Sequence, residues 1–266
     1  MDVQLSLFND LQKIRAESPI VLNLTNQVAM DLNANALLAL GASPIMAHAV
    51  EELSELVALA SATVINIGTL DSAFIQSADF AIDECTKLKK PLVFDPVGAG
   101  ASRLRSELGR HYANAGKFTA IRGNASEMGV LFGEEVRTRG VDASQSSESV
   151  ILVMARASLK TSSVLVVSGE TDFIFHQGKT VSVRNGDPLL TRVTAMGCTA
   201  TSLMGAFMGI NPSPFEAAIH TMALMGVVGE KARKISNGPG SFRTAFLDCL
   251  FSLELSDLRS LKVDAL

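Results

Sequence analysis

The chain of 266 residues is poor in cysteine and tyrosine, has no tryptophan, and only 19% of its residues are charged. Cys85, Cys198 and Cys249 are too few and too irregularly spaced for a disulfide framework or a zinc site. Lysine and arginine number 23 against 27 aspartate and glutamate, and no run of five like charges occurs. These absences exclude a disulfide scaffold and a charged tail, and they argue against a nucleic-acid-binding surface.

The sequence predicts neither a membrane-spanning helix nor a signal peptide. The longest weakly polar run, residues 36–50, is interrupted by Gly41 and Pro44. It is shorter than the roughly 20 apolar residues that a spanning helix needs. The N-terminal residues include the early acid Asp2 and show no basic-then-apolar order, unlike a signal peptide. We therefore expect a soluble, cytoplasmic protein that binds neither nucleic acid nor membrane.

What the chain has in excess is apolar residues, which make up 47% of it, with a mean hydropathy of +0.28. Short apolar runs alternate with helical patterns. The predicted strands are residues 20–24, 44–46, 63–67, 92–94, 118–121 and 164–167. The predicted helices are a stripe at Leu7, Leu11 and Ile14, and residues 31–40, 51–60, 73–88, 126–132 and 148–159. Continuous apolar strands separated by helices are typical of a parallel sheet buried on both faces.

The rest of the chain changes character twice. Residues 173–175 and 180–183 predict an antiparallel hairpin, and from Cys198 onward the pattern is helical, over 198–209, 214–234 and 241–253. No linker rich in Gly, Pro or Ser divides the chain. We predict an α/β fold of three layers, with a mostly parallel central sheet, helices on both faces and a helical C-terminal third, in one domain spanning residues 1–266.

Asp95 is the first candidate functional residue. Ligands of open α/β sheets bind beyond the carboxyl ends of the strands, so the residues that directly follow apolar runs are the ones to inspect. Asp95 follows the run 92–94 immediately and precedes Pro-Val-Gly. A carboxylate in this place suits a hard cation such as Mg²⁺, or it caps the following turn. Position alone leaves both roles open.

Arg122 and Glu127 flank the end of the next predicted strand. Arg122 directly follows Ala120-Ile121 and offers a fork-shaped cation suited to phosphate; a surface arginine is the alternative. Asn124 and Glu127 have the spacing of a capping box at a helix start. That local role is compatible with a carboxylate that also holds a metal-bound water.

Cys198 lies where a helix of small residues begins. Such a terminus presents free backbone N–H groups to an anion and can stabilise the charge of a transferring phosphoryl group. A cysteine there is expected to have its thiolate favoured, so that it acts as a base or nucleophile. The alternative is a buried structural thiol, which is what we predict for Cys85 and Cys249.

In this order the motifs resemble the hydroxyethylthiazole kinases of thiamin biosynthesis and salvage, within the ribokinase-like superfamily. The resemblance covers nearly the whole chain. It rests on Asn23-Leu-Thr-Asn26, residues 34–46, Asn66-Ile-Gly-Thr69, Asp95-Pro-Val-Gly98, Arg122-Gly-Asn-Ala-Ser-Glu127 and Gly197-Cys198. It implies Mg²⁺-dependent transfer of the γ-phosphoryl group of ATP to the primary hydroxyl of hydroxyethylthiazole. It also implies a ribokinase-like fold and a homotrimer with active sites at the subunit boundaries.

The resemblance assigns roles to matching positions. Cys198 stands where most ribokinase relatives carry an aspartate base, and Arg122 and Ser168 should bind ATP. The thiazole should be contacted by Met46, Ala195 and Asn26. Asp95 and Glu127 should lie around Mg²⁺. The chain departs from the family at Ala195-Met196, where Gly-Thr is usual. The methyl group of Ala195 narrows the pocket or restricts the backbone, and Met196 removes a hydroxyl from the phosphate side. Ser168 replaces a common threonine and keeps its hydroxyl.

Three other functions stay open. They are a kinase for another small alcohol such as a hydroxymethylpyrimidine, a binder of ATP or thiazole without turnover, and an ATP-dependent dehydratase of the same superfamily. The family-like sequence around Met46 argues against the first. The joint presence of Asp95, Glu127 and Cys198 argues against the second, because a binder has no evident use for all three.

Overall fold

The protein is described by a computed structural model that covers residues 3–133 and 147–266. Its centre is a nine-stranded sheet with the strand order β2-β1-β3-β4-β5-β6-β7-β8-β9. The strands are β1 (Ile20–Leu24), β2 (Ser43–Met46), β3 (Ala62–Asn66), β4 (Leu92–Asp95), β5 (Ala120–Asn124), β6 (Val164–Ser168), β7 (Asp172–His176), β8 (Lys179–Val183) and β9 (Val263–Ala265). Strands β1 to β6 are all parallel, and β7, β8 and β9 join antiparallel.

Helices cover both faces of this sheet. They are α1 (Val3–Glu17), α2 (Met30–Leu40), α3 (Val50–Leu59), α4 (Ser72–Leu88), α5 (Arg103–Asn114), α6 (Ala125–Phe132), α7 (Ser147–Ala157), α8 (Met196–Ile210), α9 (Pro214–Lys234) and α10 (Pro239–Phe251). Short 3-10 helices occupy Pro188–Arg192 and Leu255–Ser260.

The alternation of strand side chains produces two separate cores. Val21, Val64 and Val93 pack with α1, α2, α8, α9 and α10 on one face of the sheet. Leu22 and Ile65 on the same strands pack with α3 to α7 on the other. Successive residues of a strand point to opposite faces, so a strand that is apolar throughout needs helices on both sides. The predicted three-layer α/β fold is therefore confirmed.

Each predicted strand is present, and each predicted helix starts within about two residues of its expected position. Helix α5 and strand β9 were not predicted. Helix α5 is polar along most of its length and depends on Ser102, whose hydroxyl accepts the backbone N–H of Arg105. Strand β9 has three residues and exists through its pairing with the distant β8. Neither leaves a strong local periodic signal.

Helix α8 lies unusually close to the sheet and so places its N-terminus at the strand ends. Gly205 makes this possible: a β-carbon there would lie 2.8 Å from Cγ1 of Val21 and 2.9 Å from Cγ2 of Val64. In the described ranges, 3–133 and 147–266, every helix is too short or too polar to cross a membrane.

Candidate active site

The carboxyl ends of the parallel strands bring the predicted site residues into one region. Asn66 ends β3 and Asp95 ends β4, and the two are register partners. Asn124 and Ser168 are register partners at the ends of β5 and β6. The predicted strand 118–121 runs on to Asn124, so Arg122 lies inside β5 rather than after it. The N-terminus of α8 carries Cys198 to the same edge.

Asp95 is a buried carboxylate with an uneven set of partners. Its side chain is 1% exposed, and Oδ2 accepts hydrogen bonds from Thr201 Oγ1 at 2.7 Å and Asn66 Nδ2 at 3.0 Å. Oδ1 is buried and has no hydrogen-bond partner among residues 3–133 and 147–266. Burial raises the pKa of Asp95 to about 6, against the opposing positive charge of Arg122. One oxygen is thus held by the protein and the other is left without a donor.

The Cys198 thiol is held by two amides. Asn26 Nδ2 donates to the sulfur at 3.2 Å, and Asn66 also donates toward it. These donors lower the pKa of Cys198, but burial and the nearby charge of Asp95 outweigh them and raise it to about 11. The expectation that the helix terminus favours the thiolate is therefore wrong for the protein alone, because desolvation of the sulfur exceeds the help from the helix and the amides.

The hydrogen bonds of the Asn26 side chain are all made to groups inside the protein. Its Oδ1 accepts the backbone N–H of Ala29 at 3.0 Å, and its Nδ2 donates to Asn66 Oδ1 at 2.9 Å as well as to Cys198. A primary amide has two donor hydrogens, and both are used inside the protein. The thiazole contact predicted for Asn26 stays a prediction, while the structure gives the residue a direct contact with Cys198.

The two predicted ATP-binding residues touch each other. Arg122 Nη2 donates to Ser168 Oγ at 2.7 Å, while the buried Nε has no partner in the described part of the chain. The guanidinium lies against the start of α8, since a β-carbon at Gly197 would be 2.8 Å from Nη1. Only glycine at 197 leaves room for this approach. A cation beside free backbone N–H groups at a helix terminus forms an anion site.

Glu127 completes the predicted capping box. Asn124 Oδ1 accepts the backbone N–H of Glu127, and Glu127 Oε2 accepts that of Asn124, both at 2.9 Å. Glu127 Oε1 also accepts the N–H of Gly98 at 2.9 Å, which ties the loop after Asp95 to α6. Each carboxylate oxygen therefore already has one donor and keeps one further lone pair.

The two departures from the family pattern behave differently in the fold. Ala195 is the N-cap of α8 at φ +68° and ψ 2°, a left-handed conformation that a residue with a β-carbon adopts at a cost. Met196 is buried in the core beneath the sheet. The Met196 side chain is therefore turned into the core, and the loss of a hydroxyl on the phosphate side stays a prediction.

Met46 lies at the edge of the sheet. It ends the edge strand β2 in register with Asn23, and it is half-buried like the rest of that strand. Ser202 of α8 donates to Asn23 Oδ1 at 2.7 Å, which connects this edge to the helix that carries Cys198.

Sequence reasoning gave no role to Asn66, Thr201 or Asp172. Asn66 lies in a motif at the end of a predicted strand, which is the signal that could have identified it. Thr201 follows Gly197 by four residues, a spacing that places both on one face of α8. Asp172 accepts the N–H of Gly169 at 3.0 Å and so closes the turn after Ser168. In the part of the chain that the structure describes, no three His, Cys, Asp or Glu side chains gather as a ready metal cluster.

Comparisons with known proteins find relatives that match almost the whole chain. The model of the hydroxyethylthiazole kinase family matches residues 11–256. A hydroxyethylthiazole kinase of Leptospira biflexa serovar Patoc is 49% identical over 250 residues, 94% of each chain. One from Syntrophus aciditrophicus is 44% identical over 257 residues, 96% of this chain and 95% of that one.

Solved structures give the same result. A hydroxyethylthiazole kinase protein from Pyrococcus horikoshii has a TM-score of 0.90 at 36% identity and covers 98% of this chain and 99% of its own. A pyridoxal kinase from Staphylococcus aureus, with a TM-score of 0.58 at 14% identity over 80% of this chain and 88% of its own, shares the fold.

Ala195→Gly should stabilise the protein, because it removes the left-handed strain at the start of α8. We expect the free energy of unfolding to rise by roughly 0.5–1 kcal/mol. This is the gain from relieving the left-handed strain, reduced by the greater conformational entropy that glycine gives to the unfolded chain. Urea denaturation measures this. Ala34→Gly, inside α2, is the matched control and should lose about 1 kcal/mol. A loss of stability in Ala195→Gly would contradict the strain.

Asp172→Asn should alter how stability depends on pH. Burial raises the pKa of Asp172 to about 6, above that of the unfolded chain, so the native state holds the proton more tightly. The free energy of unfolding then falls as pH rises from about 4 to about 6. The asparagine keeps the acceptor for Gly169 and removes the charge, so roughly 1–3 kcal/mol of this fall should disappear.

Urea denaturation at pH 4.5 and pH 8 tests the expectation. Asp83→Asn is the control, since Lys117 lowers the pKa of Asp83 and removal of that charge does not reduce the fall. Parallel pH curves for the unchanged protein and Asp172→Asn would show that the carboxyl of Asp172 ionises as easily in the native state as in the unfolded chain.

Proposed function

The chain belongs to the hydroxyethylthiazole kinase family, and on that premise we propose how its residues perform the reaction. The protein is a kinase that uses ATP to phosphorylate hydroxyethylthiazole in thiamin biosynthesis. The observation that carries the proposal is the meeting of Asp95, Arg122 and Cys198 at the N-terminus of α8. We take residues 1–266 as one catalytic domain.

Arg122, Ser168 and the start of α8 form the phosphate-binding side. The guanidinium has a buried Nε without a partner and is already oriented by Ser168. Phosphoryl transfer places negative charge on the equatorial oxygens of the moving group, and fixed cations and backbone N–H groups stabilise that charge. These groups need no reorganisation when the charge develops, which is how they lower the barrier.

Asp95 and Glu127 fit Mg²⁺. The ion takes one or two carboxylates together with waters and phosphate oxygens. Asp95 Oδ1 is a hard oxygen without a donor, and the Glu127 oxygens each keep a lone pair. When bound with ATP, Mg²⁺ neutralises phosphate charge. Asp95 and Glu127 are the residues that would hold it, Glu127 through a water while it caps α6.

Met46, Ala195 and Asn26 make up the thiazole side of the proposal. The backbone at Ala195 is left-handed, Met46 is half-buried at the end of the edge strand, and Asn26 is buried in contact with Cys198. The oxygen of the primary hydroxyl attacks the γ-phosphorus, the bond from that phosphorus to the β,γ-bridging oxygen breaks, and ADP leaves. The hydroxyl proton passes to the Cys198 sulfur when the sulfur is a thiolate.

We also propose a homotrimer with active sites at the subunit boundaries. Val28 and Leu38 are large apolar side chains that are 63% and 59% exposed, and helix α2, which carries Leu38, packs against the edge strand β2. Sedimentation equilibrium should give three times 28.2 kDa. Because the reaction consumes ATP, the cytoplasm is the compartment that we propose.

The direct test is Mg²⁺- and ATP-dependent release of ADP with hydroxyethylthiazole, with the phosphorylated product identified by mass. Turnover that requires the thiazole supports the proposal. Tight thiazole binding without turnover would favour a binder, and a faster reaction with a hydroxymethylpyrimidine would show that Ala195 has changed the substrate.

Cys198→Ala should lower kcat by about 100-fold without abolishing it, the lower end of the usual contribution of a general base. Cys198→Asp should stay active, because the two amide donors that meet the sulfur also suit a carboxylate. Steady-state kinetics on both variants measures this. Cys249→Ala, a buried thiol of α10, is the control and should keep the full rate. An unchanged kcat in Cys198→Ala would rule out the base role.

The pH profile gives a second readout of the same role. Because the pKa of Cys198 is raised to about 11, the thiolate fraction grows with pH throughout the neutral range. The single-turnover rate of the unchanged enzyme should therefore rise between pH 7 and pH 9, by up to about tenfold per pH unit. Cys198→Asp should not show this rise.

A further inference from the structure

Thr201 and Asn66 both hold the same oxygen of Asp95. Thr201 Oγ1 lies 2.7 Å and Asn66 Nδ2 lies 3.0 Å from Oδ2, while Oδ1 is buried and finds no partner among the residues that the structure describes. Buried polar atoms are normally satisfied, and a carboxylate held only for stability would be expected to find donors for both oxygens. The convergence of two donors on one oxygen fixes the rotation of the carboxylate instead.

The hydroxyl of Thr201 is committed to this bond. It has a single hydrogen, and its two possible acceptors are Asp95 Oδ2 at 2.7 Å and the Gly197 carbonyl oxygen at 3.3 Å. The shorter contact to the charged oxygen is the stronger, so the hydrogen points to Asp95. Thr201 itself is fully buried.

The orientation of the Asn66 amide is fixed by the backbone. The N–H of Gly68 lies 3.0 Å from Asn66 Oδ1 and can only donate, so this atom must be the amide oxygen. The amide nitrogen is therefore the group that donates to Asp95. The same nitrogen also donates toward Cys198, so the buried Asn66 amide helps to position both Asp95 and Cys198.

We propose that Thr201, together with Asn66, is a positioning residue for Asp95: it holds Oδ2 so that Oδ1 is reserved for the Mg²⁺-ATP side of the reaction. The inference rests on the proposed role of Asp95 toward Mg²⁺. Groups that orient a metal-binding carboxylate typically contribute 10–100-fold to metal affinity or activity.

The test replaces the hydroxyl and measures metal binding without turnover. Thr201→Val keeps the shape of the side chain, Thr201→Ala keeps the helix, and Thr201→Ser keeps the hydroxyl. The Kd of Mn²⁺ for the full-length enzyme with a non-hydrolysable ATP analogue is measured by electron paramagnetic resonance. We expect the Kd to rise about 10-fold or more in the Val and Ala variants and to stay within about threefold in Thr201→Ser.

Activity provides a parallel measurement. The Mg²⁺ concentration for half-maximal rate should rise by a similar factor in Thr201→Val, while the KM for the thiazole should not change. Thr221→Val is the matched control, since Thr221 is also fully buried in a helix but its hydroxyl bonds only to the Ala217 carbonyl at 2.7 Å. Its Mn²⁺ affinity should equal that of the unchanged enzyme.

Asp95→Asn distinguishes the proposed role of Asp95 toward Mg²⁺ from the proposed positioning role of Thr201. If it weakens Mn²⁺ binding while folded Thr201→Val and Thr201→Ala bind as the unchanged enzyme does, the positioning role is wrong and the role of Asp95 stands. If Asp95→Asn binds Mn²⁺ normally, Asp95 does not hold the ion, and both proposals fall. Weak Mn²⁺ binding in Thr201→Ser would assign the effect to packing rather than to the hydroxyl, which also overturns the inference. If Thr201→Val does not fold, Thr201→Ala carries the comparison.

Discussion

A carboxylate buried at the end of β4 is the constraint on which the site depends. An ionised Asp95 out of contact with water costs several kcal/mol unless charge and hydrogen bonds compensate it. The compensation comes from separate parts of the chain: Arg122 on β5, Asn66 on β3 and Thr201 on α8. Because it is incomplete, the pKa of Asp95 remains raised to about 6. A bound cation would supply what the protein leaves out.

Close packing makes these contacts possible. The absence of a side chain at Gly205 brings α8 onto β1 and β3, and its absence at Gly197 lets Arg122 reach the start of that helix. The same helix presents backbone N–H groups, Cys198 and Thr201 on successive turns. Electrostatic stabilisation in a dry site depends on such preorganisation, since groups that are already in place pay no cost when charge develops.

Phosphoryl transfer needs little help from a general base, and a buried thiol such as that of Cys198 is compatible with this small requirement. Loose phosphoryl transfer depends mainly on positioning and on neutralising charge, so the small thiolate fraction of a sulfur whose pKa is raised to about 11 is enough for the base to assist. Asn26 and Asn66 meet the sulfur with donors rather than acceptors, and they therefore favour its ionised form when it appears. The hydrogen-bond donors around the sulfur can therefore stabilise a thiolate, although burial favours the neutral thiol in the protein alone.

The sequence by itself determined the layers of the fold and named most of the candidate site residues. Apolar strands, helix periodicity and residues at strand ends are local signals, and they predicted the sheet, the capping box of Glu127 and the candidates Asp95, Arg122 and Cys198. It missed α5 and β9, one polar and the other formed by distant pairing. Only the tertiary structure decided the raised pKa of Cys198, the burial of Met196 and the donors of Asp95. These depend on burial and on contacts between residues such as Asn66 and Thr201, far apart in the chain, whose distances no local pattern encodes.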